Sequence, residues 1–363
     1  MLILLRNIEC FSPACLGRRD IVIAGSMIYR VLPPKRVPEY ELYESVIDGT
    51  GLCAFPGLID QHVHITGGGG EEGFASRLPE ITMGEIRAAG VTTLVGLLGA
   101  DGCARSLMGL YAKAKALEEQ GISTYVYAGS YAMPPVTFTG SMTKDLVLID
   151  KVIGAGEIAI SDHRSSHPTL TDMIRLACDV HLGGMLGGKA GVLHIHVGDG
   201  RGGLSLLFEM MERSDLPIHM FIPTHVNRNP MLFSEAMDYC RAGGRVDLTA
   251  GEKAGIPVPR AIARMIDAGI DLTRVTVSSD SNGSAPGGIP GRIQVLYDDL
   301  RDSIVFEKLK PETVWPLFSE NVAKALHLYP QKGAIMEGSD ADILVTDRNF
   351  NPRMLIAKGI VLT

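Results

Sequence analysis

The sequence predicts an α/β fold: a (β/α)8 TIM barrel over residues 55–330, with a small β-sandwich domain built from residues 1–54 and 331–363. Three observations lead there. Strand-like and helix-like runs alternate from residue 55 to 279, giving eight strands, and eight β/α units in about 250 residues are the size of such a barrel. The runs 91–98, 191–197 and 275–279 are mostly apolar or β-branched, as expected of parallel strands covered on both faces. The two chain ends share a different texture, short strands broken by Pro and Gly, so one domain is expected to draw on both termini.

Taken in order, Leu2–Arg6, Asp20–Ala24, Met27–Leu32 and Val46–Ile47 read as strands, punctuated by Pro33-Pro34, Gly49 and Gly51. The barrel strands are Phe55–His64, Val91–Leu98, Ser123–Ala128, Glu157–Ser161, Gly191–Val197, Met220–Pro223, Arg245–Thr249 and Val275–Ser279. Between them, Thr82–Ala89, Ala104–Gln120, Lys144–Ile153, Thr169–Leu182, Leu204–Glu212, Pro230–Ala242 and Pro259–Ala268 carry helical patterns. Beyond Gly287–Pro290 come helices near 291–309 and 311–327, and from Lys332-Gly333 the short strands return at Ala341–Thr346 and Met354–Leu362.

Composition narrows the function classes. With 46% hydrophobic and 21% charged residues the chain is globular. A net charge of −7 without a basic stretch makes nucleic acid an unexpected partner. Six scattered cysteines with no Cys-X-X-Cys fit a reducing cytoplasm rather than a disulfide framework or a structural zinc site. The opening Met1-Leu-Ile-Leu-Leu has no basic segment before it and reads as a strand, not a leader. No apolar run is long enough to span a membrane.

The chemistry starts at residues 58–71. His62 and His64 alternate on a strand and so share a face. Four glycines follow, then Glu71. Alone, this could be two strand-end histidines and a flexible loop. Active sites of such barrels are built at the C-terminal ends of the strands, and there stand Tyr131, Asp162, His163, Arg164, His196, His225 and Asp280 as well, with Glu157 in strand 4. Four histidines and an aspartate at four different strand ends make a metal site the expected reading. Histidine and carboxylate ligands suit Zn2+ or a similar divalent ion. Two such ions would lower the pKa of a shared water and polarise a carbonyl. Asp280 could take the water's proton and pass it to a leaving amine. The reaction class is metal-assisted hydrolysis of an amide or related bond.

At this point the residues resemble a family. The order His-X-His, strand-4 acid, His, His, Asp resembles the amidohydrolase superfamily, and Gly338-Ser-Asp-Ala-Asp-Ile-Leu-Val is similar to its C-terminal strand. Within it the likeness is to isoaspartyl (β-aspartyl) dipeptidases, carried by residues 60–71, 160–165, 183–189, 223–229 and 278–284. The resemblance implies that His62, His64 and Asp280 hold the more buried metal and that His196 and His225 hold the second. It implies Asp280 as general base and acid, and Tyr131 as the group that polarises the scissile carbonyl. Glu71 would pair with the substrate's α-amino group. Arg164 and Arg228 would bind its carboxylates, assisted by Ser284 and the backbone near Gly69. The implied cofactor is Zn2+, as two ions; the implied substrate is a small dipeptide. The implied assembly is a homo-oligomer, with an octamer one candidate state.

The sequence departs from the family in three places. Glu157 stands where the family carries a metal-bridging carboxylated lysine. Both are monoanions offering two oxygens, but glutamate is shorter by roughly 3–4 Å at ordinary bond lengths. The backbone at 154–158 is therefore expected to come inward, aided by Gly154 and Gly156, and strand 4 to end near Glu157. Ala100 replaces a threonine, and the segment after Ser284 is short. The last two leave open another amidohydrolase activity, on cyclic amides, N-acyl amino acids or other peptides. A non-catalytic scaffold is disfavoured, because every ligand position holds a competent residue.

Other candidates read more plainly. Gly183–Lys189 has the look of a phosphate-binding loop, but Ala190 follows the lysine and the run precedes a strand. His194 lies one pleat below His196 and reads as a packed or hydrogen-bonded core residue. His163 reads as structural or as a support to a ligand, and Lys144, Lys151 and Lys189 do not sit where a carboxylated lysine would.

Overall fold

The computed structural model describes residues 2–34, 42–284 and 291–362. The short segment after Ser284, including Gly287–Pro290, lies outside them. Chain ends meet in one sheet. Strands β1 (Leu2–Phe11), β2 (Cys15–Ala24), β3 (Met27–Leu32), β4 (Ser45–Asp48) and β5 (Leu52–Pro56) open the chain. The strands β14 (Ile343–Asp347), β15 (Pro352–Ala357) and β16 (Ile360–Leu362) close it. Among the described residues they pair in the order β16-β15-β14-β5-β1-β2-β3, with β4 also on β1. Ile3, Leu5, Ile8, Ile21 and Ile23 pack with Ile343, Val345 and Ile356 in a core of their own.

Between these ends runs the β/α alternation: β6 (Leu58–Val63), α1 (Met83–Ala88), β7 (Val91–Gly96), α2 (Leu107–Glu119), β8 (Ser123–Ala128), α3 (Met142–Leu148), β9 (Val152–Ile160) and α4 (Leu170–Gly187). It continues with β10 (Val192–Val197), α5 (Ser205–Arg213), β11 (Phe221–Thr224), α6 (Pro230–Arg241), β12 (Val246–Thr249), α7 (Val258–Asp267), β13 (Val275–Ser278) and α8 (Gln294–Val305). Two short helices, α9 (Pro311–Val314) and α10 (Glu320–Ala325), lead back to the terminal sheet. Helix starts follow local chemistry. Thr82 and Thr169 make capping boxes with Glu85 and Asp172, and Ser106, Ser141 and Asn229 cap α2, α3 and α6.

Three sequence expectations are corrected. The strand expected over Phe55–His64 is two strands. Pro56 pairs with Ile343 in the terminal sheet, whereas Leu58 pairs with Val91 in the barrel. The turn falls at Gly57, where a Cβ would lie 2.4 Å from the Thr92 side chain. The helix expected to run to Ile153 ends at Leu148, and β9 extends from Val152 to Ile160, so Glu157 lies inside that strand rather than at its end. The helix expected to end at Leu182 runs on to Gly187 and is closed by Gly188 in a left-handed cap at φ 62°, so most of Gly183–Lys189, already disfavoured as a phosphate-binding loop, is helical.

The parallel strands form a ring of two ladders, β6 to β11 and β12 with β13. Side chains close the seams between them. The buried Asp247 of β12 accepts from Gln61 Nε2 on β6 (2.6 Å), Thr224 Oγ1 on β11 (2.8 Å) and Thr276 Oγ1 on β13 (2.7 Å), and also from Ser278. Above it, His64 N–H donates to Ser281 O at 3.0 Å, and Ser279 N–H donates to Asp60 Oδ1 at 3.1 Å. One carboxylate thus ties both seams below the mouth. The Asp247→Ala variant strands several buried donors at once, and its unfolding free energy is expected to fall by about 3 kcal/mol or more. Urea denaturation measures this; a loss below about 1 kcal/mol would mean the seams hold without it.

Candidate metal centre and active site

Five strands deliver six candidate ligands to one end of the ring. His62 is the penultimate residue of β6 and His64 follows that strand; their ring centroids are 5.4 Å apart. His196 lies near the end of β10, His225 just after β11, and Asp280 two residues after β13. His225 and Asp280 both adopt left-handed backbone, at φ 63° and 50°, which turns each side chain inward as its strand ends. Such sparsely populated conformations gather at active sites.

Glu157 reaches the same point from inside β9 by a bulge. Leu193 pairs with Ala155, but Ile195 pairs with Ile158, so β9 carries one extra residue there. The bulge rests on Gly156, where a Cβ would lie 2.9 Å from the His194 Cβ. Gly99, beyond β7, gives similar room: a Cβ there would lie 2.7 Å from His64 Cε1.

The ligand atoms converge. Glu157 Oε2 lies 3.5 Å from His62 Nε2, 3.2 Å from His196 Nδ1 and 3.7 Å from His225 Nε2, and Oε1 lies 3.4 Å from His64 Nε2. Asp280 Oδ1 is 3.3 Å from His62 Nε2 and 3.2 Å from His64 Nε2. Two sets, His62–His64–Asp280 and His62–Glu157–His225, each bring three ligand atoms within 4.8 Å of one another. His196 belongs to neither set, although its Nδ1 faces Glu157. The residues fit a divalent ion. With bonds of about 2.0–2.1 Å, tetrahedral ligand atoms stand about 3.3 Å apart, close to the histidine-to-carboxylate separations of His62 and His64, which run from 3.2 to 3.5 Å. His62 Nε2 and Glu157 Oε1 are buried with no hydrogen-bond partner, as ligand atoms awaiting a metal would be.

Electrostatics agree. Burial opposes charge on His62, but Glu157 and Asp280 outweigh it and hold its pKa well above the ordinary value. Burial also opposes the charges of Glu157 and Asp280, yet the imidazoles, His62 foremost, hold both well below the usual carboxylate range. Burial pushes His225 down to about 3, leaving it neutral. Burial, then Glu157, raises Tyr131 well above 10, so its hydroxyl stays a donor.

Around the ligands is a set of aligning contacts. His62 Nδ1 lies 2.8 Å from His194 Nε2, and His225 Nδ1 lies 2.7 Å from Thr249 Oγ1; both leave Nε2 toward Glu157. His196 Nε2 lies 2.9 Å from Asp162 Oδ2, and Tyr131 Oη lies 2.9 Å from His196 Nδ1. At the mouth, Arg164 Nη1 donates to Glu71 Oε1 at 3.2 Å, and Ser284 Oγ donates to the same oxygen. Arg164 also stacks over Tyr131, 5.2 Å from the ring centroid. Arg228, in the loop after β11, is placed where its charge acts on His225 and Tyr131. Gly69 is held by a bridge to Arg77. Arg105 secures the glycine run itself, donating to Thr66 O, to Gly68 O (3.2 Å) and to Leu78 O (2.9 Å).

Sequence reasoning assigned no role to Asp162, Thr249 or Arg105. Each acts on a residue distant in sequence, and no periodic pattern marks such a contact. Asp162 alone carried a signal, its place after strand 4.

Comparison with known proteins follows this geometry. Residues 239–362 match the amidohydrolase family. A β-aspartyl dipeptidase from the thermophilic, keratin-degrading Fervidobacterium islandicum AW-1 is 42% identical, covering 100% of this chain and 97% of that one, with a TM-score of 0.94. Its complex with the β-Asp-Leu dipeptide aligns with 41% identity over 100% of this chain and 97% of that one, at a TM-score of 0.92. D-Phenylhydantoinase of Escherichia coli is 23% identical, over 96% of this chain and 86% of that protein. Barrel and ligand set together define an amidohydrolase-type hydrolase. Within that superfamily, the chain belongs to the β-aspartyl (isoaspartyl) dipeptidase family.

Metal uptake must displace the proton that Glu157 and Asp280 hold on His62. Affinity for zinc is therefore expected to fall as pH falls, by about tenfold per unit for each proton displaced. Competition with a chelator at pH 6 and pH 8 measures it; equal affinities would mean that His62 carries no proton in the metal-free site. In the same assay Glu157→Ala should lose metal. Activity of the unsubstituted enzyme should not respond to bicarbonate, since a glutamate needs no carboxylation.

Proposed function

We propose that the protein is a metal-dependent dipeptidase that hydrolyses the β-aspartyl bond of isoAsp-X dipeptides. The observation that carries this reading is the meeting of Glu71, Arg164 and Ser284 at the mouth of the ligand cluster. An isoaspartyl dipeptide is a small zwitterion with one ammonium and two carboxylates. Glu71 matches the ammonium, and Arg164 and Arg228 match the carboxylates, arginine by a two-pronged fork. The β-Asp-Leu complex of the Fervidobacterium relative supports the same class.

His62, His64, Glu157, His196, His225 and Asp280 would hold the metal, which we take to be two zinc ions, with Glu157 central among the donors. Bound there, the ions supply a water acidic enough to attack at neutral pH and an electrophile for the carbonyl. The chain's own groups do the rest. Asp280, held ionised by its imidazole neighbours, accepts the water's proton as the C–O bond forms. It returns that proton to the departing nitrogen as the C–N bond breaks, so water is consumed and aspartate and a free amino acid leave. Tyr131, kept protonated by burial, donates a hydrogen bond to the carbonyl oxygen as its charge grows.

The remaining features fit this reading. Residues 1–54 and 331–363 would form a small β-sandwich domain beside the catalytic barrel of 55–330. Among the described residues no helix is long and apolar enough to cross a membrane, and we place the enzyme in the cytoplasm as a homo-oligomer.

The zinc-loaded protein should cleave β-Asp-Leu with kcat/KM at least a hundredfold above α-Asp-Leu, and above hydantoin and N-acetyl-leucine. Preference for either of the last two would move it to another amidohydrolase activity. Glu71→Gln should raise KM for β-Asp-Leu with the smaller effect on kcat, and Asp280→Asn should lower kcat by about 10² or more.

A further inference from the structure

Asp162 follows β9 in the turn begun by Ser161 at φ 51°. Its side chain is 4% exposed and every acceptor direction is used. Oδ1 accepts from the backbone N–H of Arg164 at 2.8 Å and from Arg164 Nε at 3.0 Å. Oδ2 accepts from Arg164 Nη2 at 2.8 Å and from His196 Nε2 at 2.9 Å. His163 Nδ1 approaches Oδ1 at 3.4 Å but is itself 90% exposed.

These bonds settle two orientations. A carboxylate beside Nε2 keeps the proton there, so the Nδ1 lone pair of His196 points at Glu157, 3.2 Å away. The 3.4 Å approach of Arg164 Nη2 to the same Nε2 is then a contact of two donors to one acceptor, not a bond. The fork on Arg164 uses Nε and Nη2 and leaves Nη1 directed to the mouth, where it meets Glu71. The anchor is built from the far side too: at Gly198 a Cβ would stand 2.5 Å from the Asp162 Cβ, and Gly198 N–H donates to Ile160 O at 3.1 Å.

We propose that Asp162 is a positioning residue that joins the metal centre to substrate recognition, aiming the His196 Nδ1 at the metal side and the Arg164 Nη1 at a substrate carboxylate. The inference rests on the dipeptidase reading for its substrate half and on the ligand cluster alone for its metal half. One rigid carboxylate serving both makes metal binding and carboxylate binding depend on each other. Ligands oriented this way typically lose 10–100-fold in metal affinity when the orienting group is removed.

The test uses full-length protein, zinc and a competing chelator, with Asp162→Asn as the isosteric variant. The expected result is a 10–100-fold weaker binding of one zinc equivalent and a KM for β-Asp-Leu raised about tenfold. Asp162→Asn should add nothing further to KM in an Arg164→Met background, while its zinc defect persists there. Zinc affinity within threefold of the unsubstituted protein overturns the proposal. So does a KM effect that simply adds to that of Arg164→Met, or a KM effect with no zinc defect. Should the Asn variant not fold, Asp162→Glu replaces it: the longer side chain keeps the charge but cannot keep both partners in place, so the same two losses are expected. If the unsubstituted protein cleaves no β-aspartyl dipeptide, the dipeptidase reading falls, and the zinc titration still decides whether Asp162 supports the metal centre.

Discussion

The side chain of Glu157 is 1% exposed, and the rest of the site is an answer to its charge. An ionised carboxylate taken out of water costs several kcal/mol even after the protein relaxes. It can be kept only by partners on both oxygens. Here Oε2 faces His62, His196 and His225, and Oε1 faces His64. Asp280 adds a second anion to the same group of rings. With neutral imidazoles such a cluster carries net negative charge, and protons or divalent cations must balance it. The proton held on His62 does so in part. A divalent ion held by the same atoms would do so with directed bonds, and the superfamily's use of such ions fits this cluster.

That demand reaches into the backbone. Glu157 reaches the cluster from inside β9, where the backbone departs from regular pairing. The bulge lies at Gly156, where His194 packs directly on a residue without a Cβ. His194 meets the other side of the same problem by holding the Nδ1 of His62. Side-chain length led to the expectation of an inward backbone at 154–158; what the strand shows there is a bulge. That β9 would run on to Ile160 was not foreseen, since a bulge adds a residue without interrupting an apolar run.

What could be read from the sequence was periodic or clustered. Alternation of strands and helices revealed the barrel, and the return of short strands after Lys332 revealed the shared terminal sheet. His62 and His64 could be paired by strand period alone. The join between sheet and barrel at Gly57 was missed although Pro56-Gly57 is a turn dipeptide, because the apolar residues on either side of it read as one strand. The supports of the ligands were hidden for a related reason. Thr249 on His225, Asp162 on His196 and Arg105 on the glycine run bridge 24, 34 and up to 39 residues. Such contacts exist only once the ring has closed, and the carboxylate that bonds across both of its seams is Asp247, one aspartate in a strand of ordinary appearance.

The same closure explains how the mouth could select its substrate. Arg164 and Glu71 are paired across the entrance, with 23% and 27% of their side chains exposed. An ion pair so open to water is worth at most about 1 kcal/mol. It opens at little cost, yet while closed it leaves neither charge unpaired. A ligand with both an ammonium and a carboxylate can replace each partner with its own opposite charge, so the exchange leaves every group satisfied. A ligand with only one of these charges must strand either Glu71 or Arg164 in a partly desolvated site, at a cost of about 1–3 kcal/mol. Selectivity for zwitterions would then come from what each wrong ligand leaves unpaired, more than from added attraction to the right one. Asp162 makes this work, because it fixes two of the three arms of Arg164 and so permits only Nη1 to change partners.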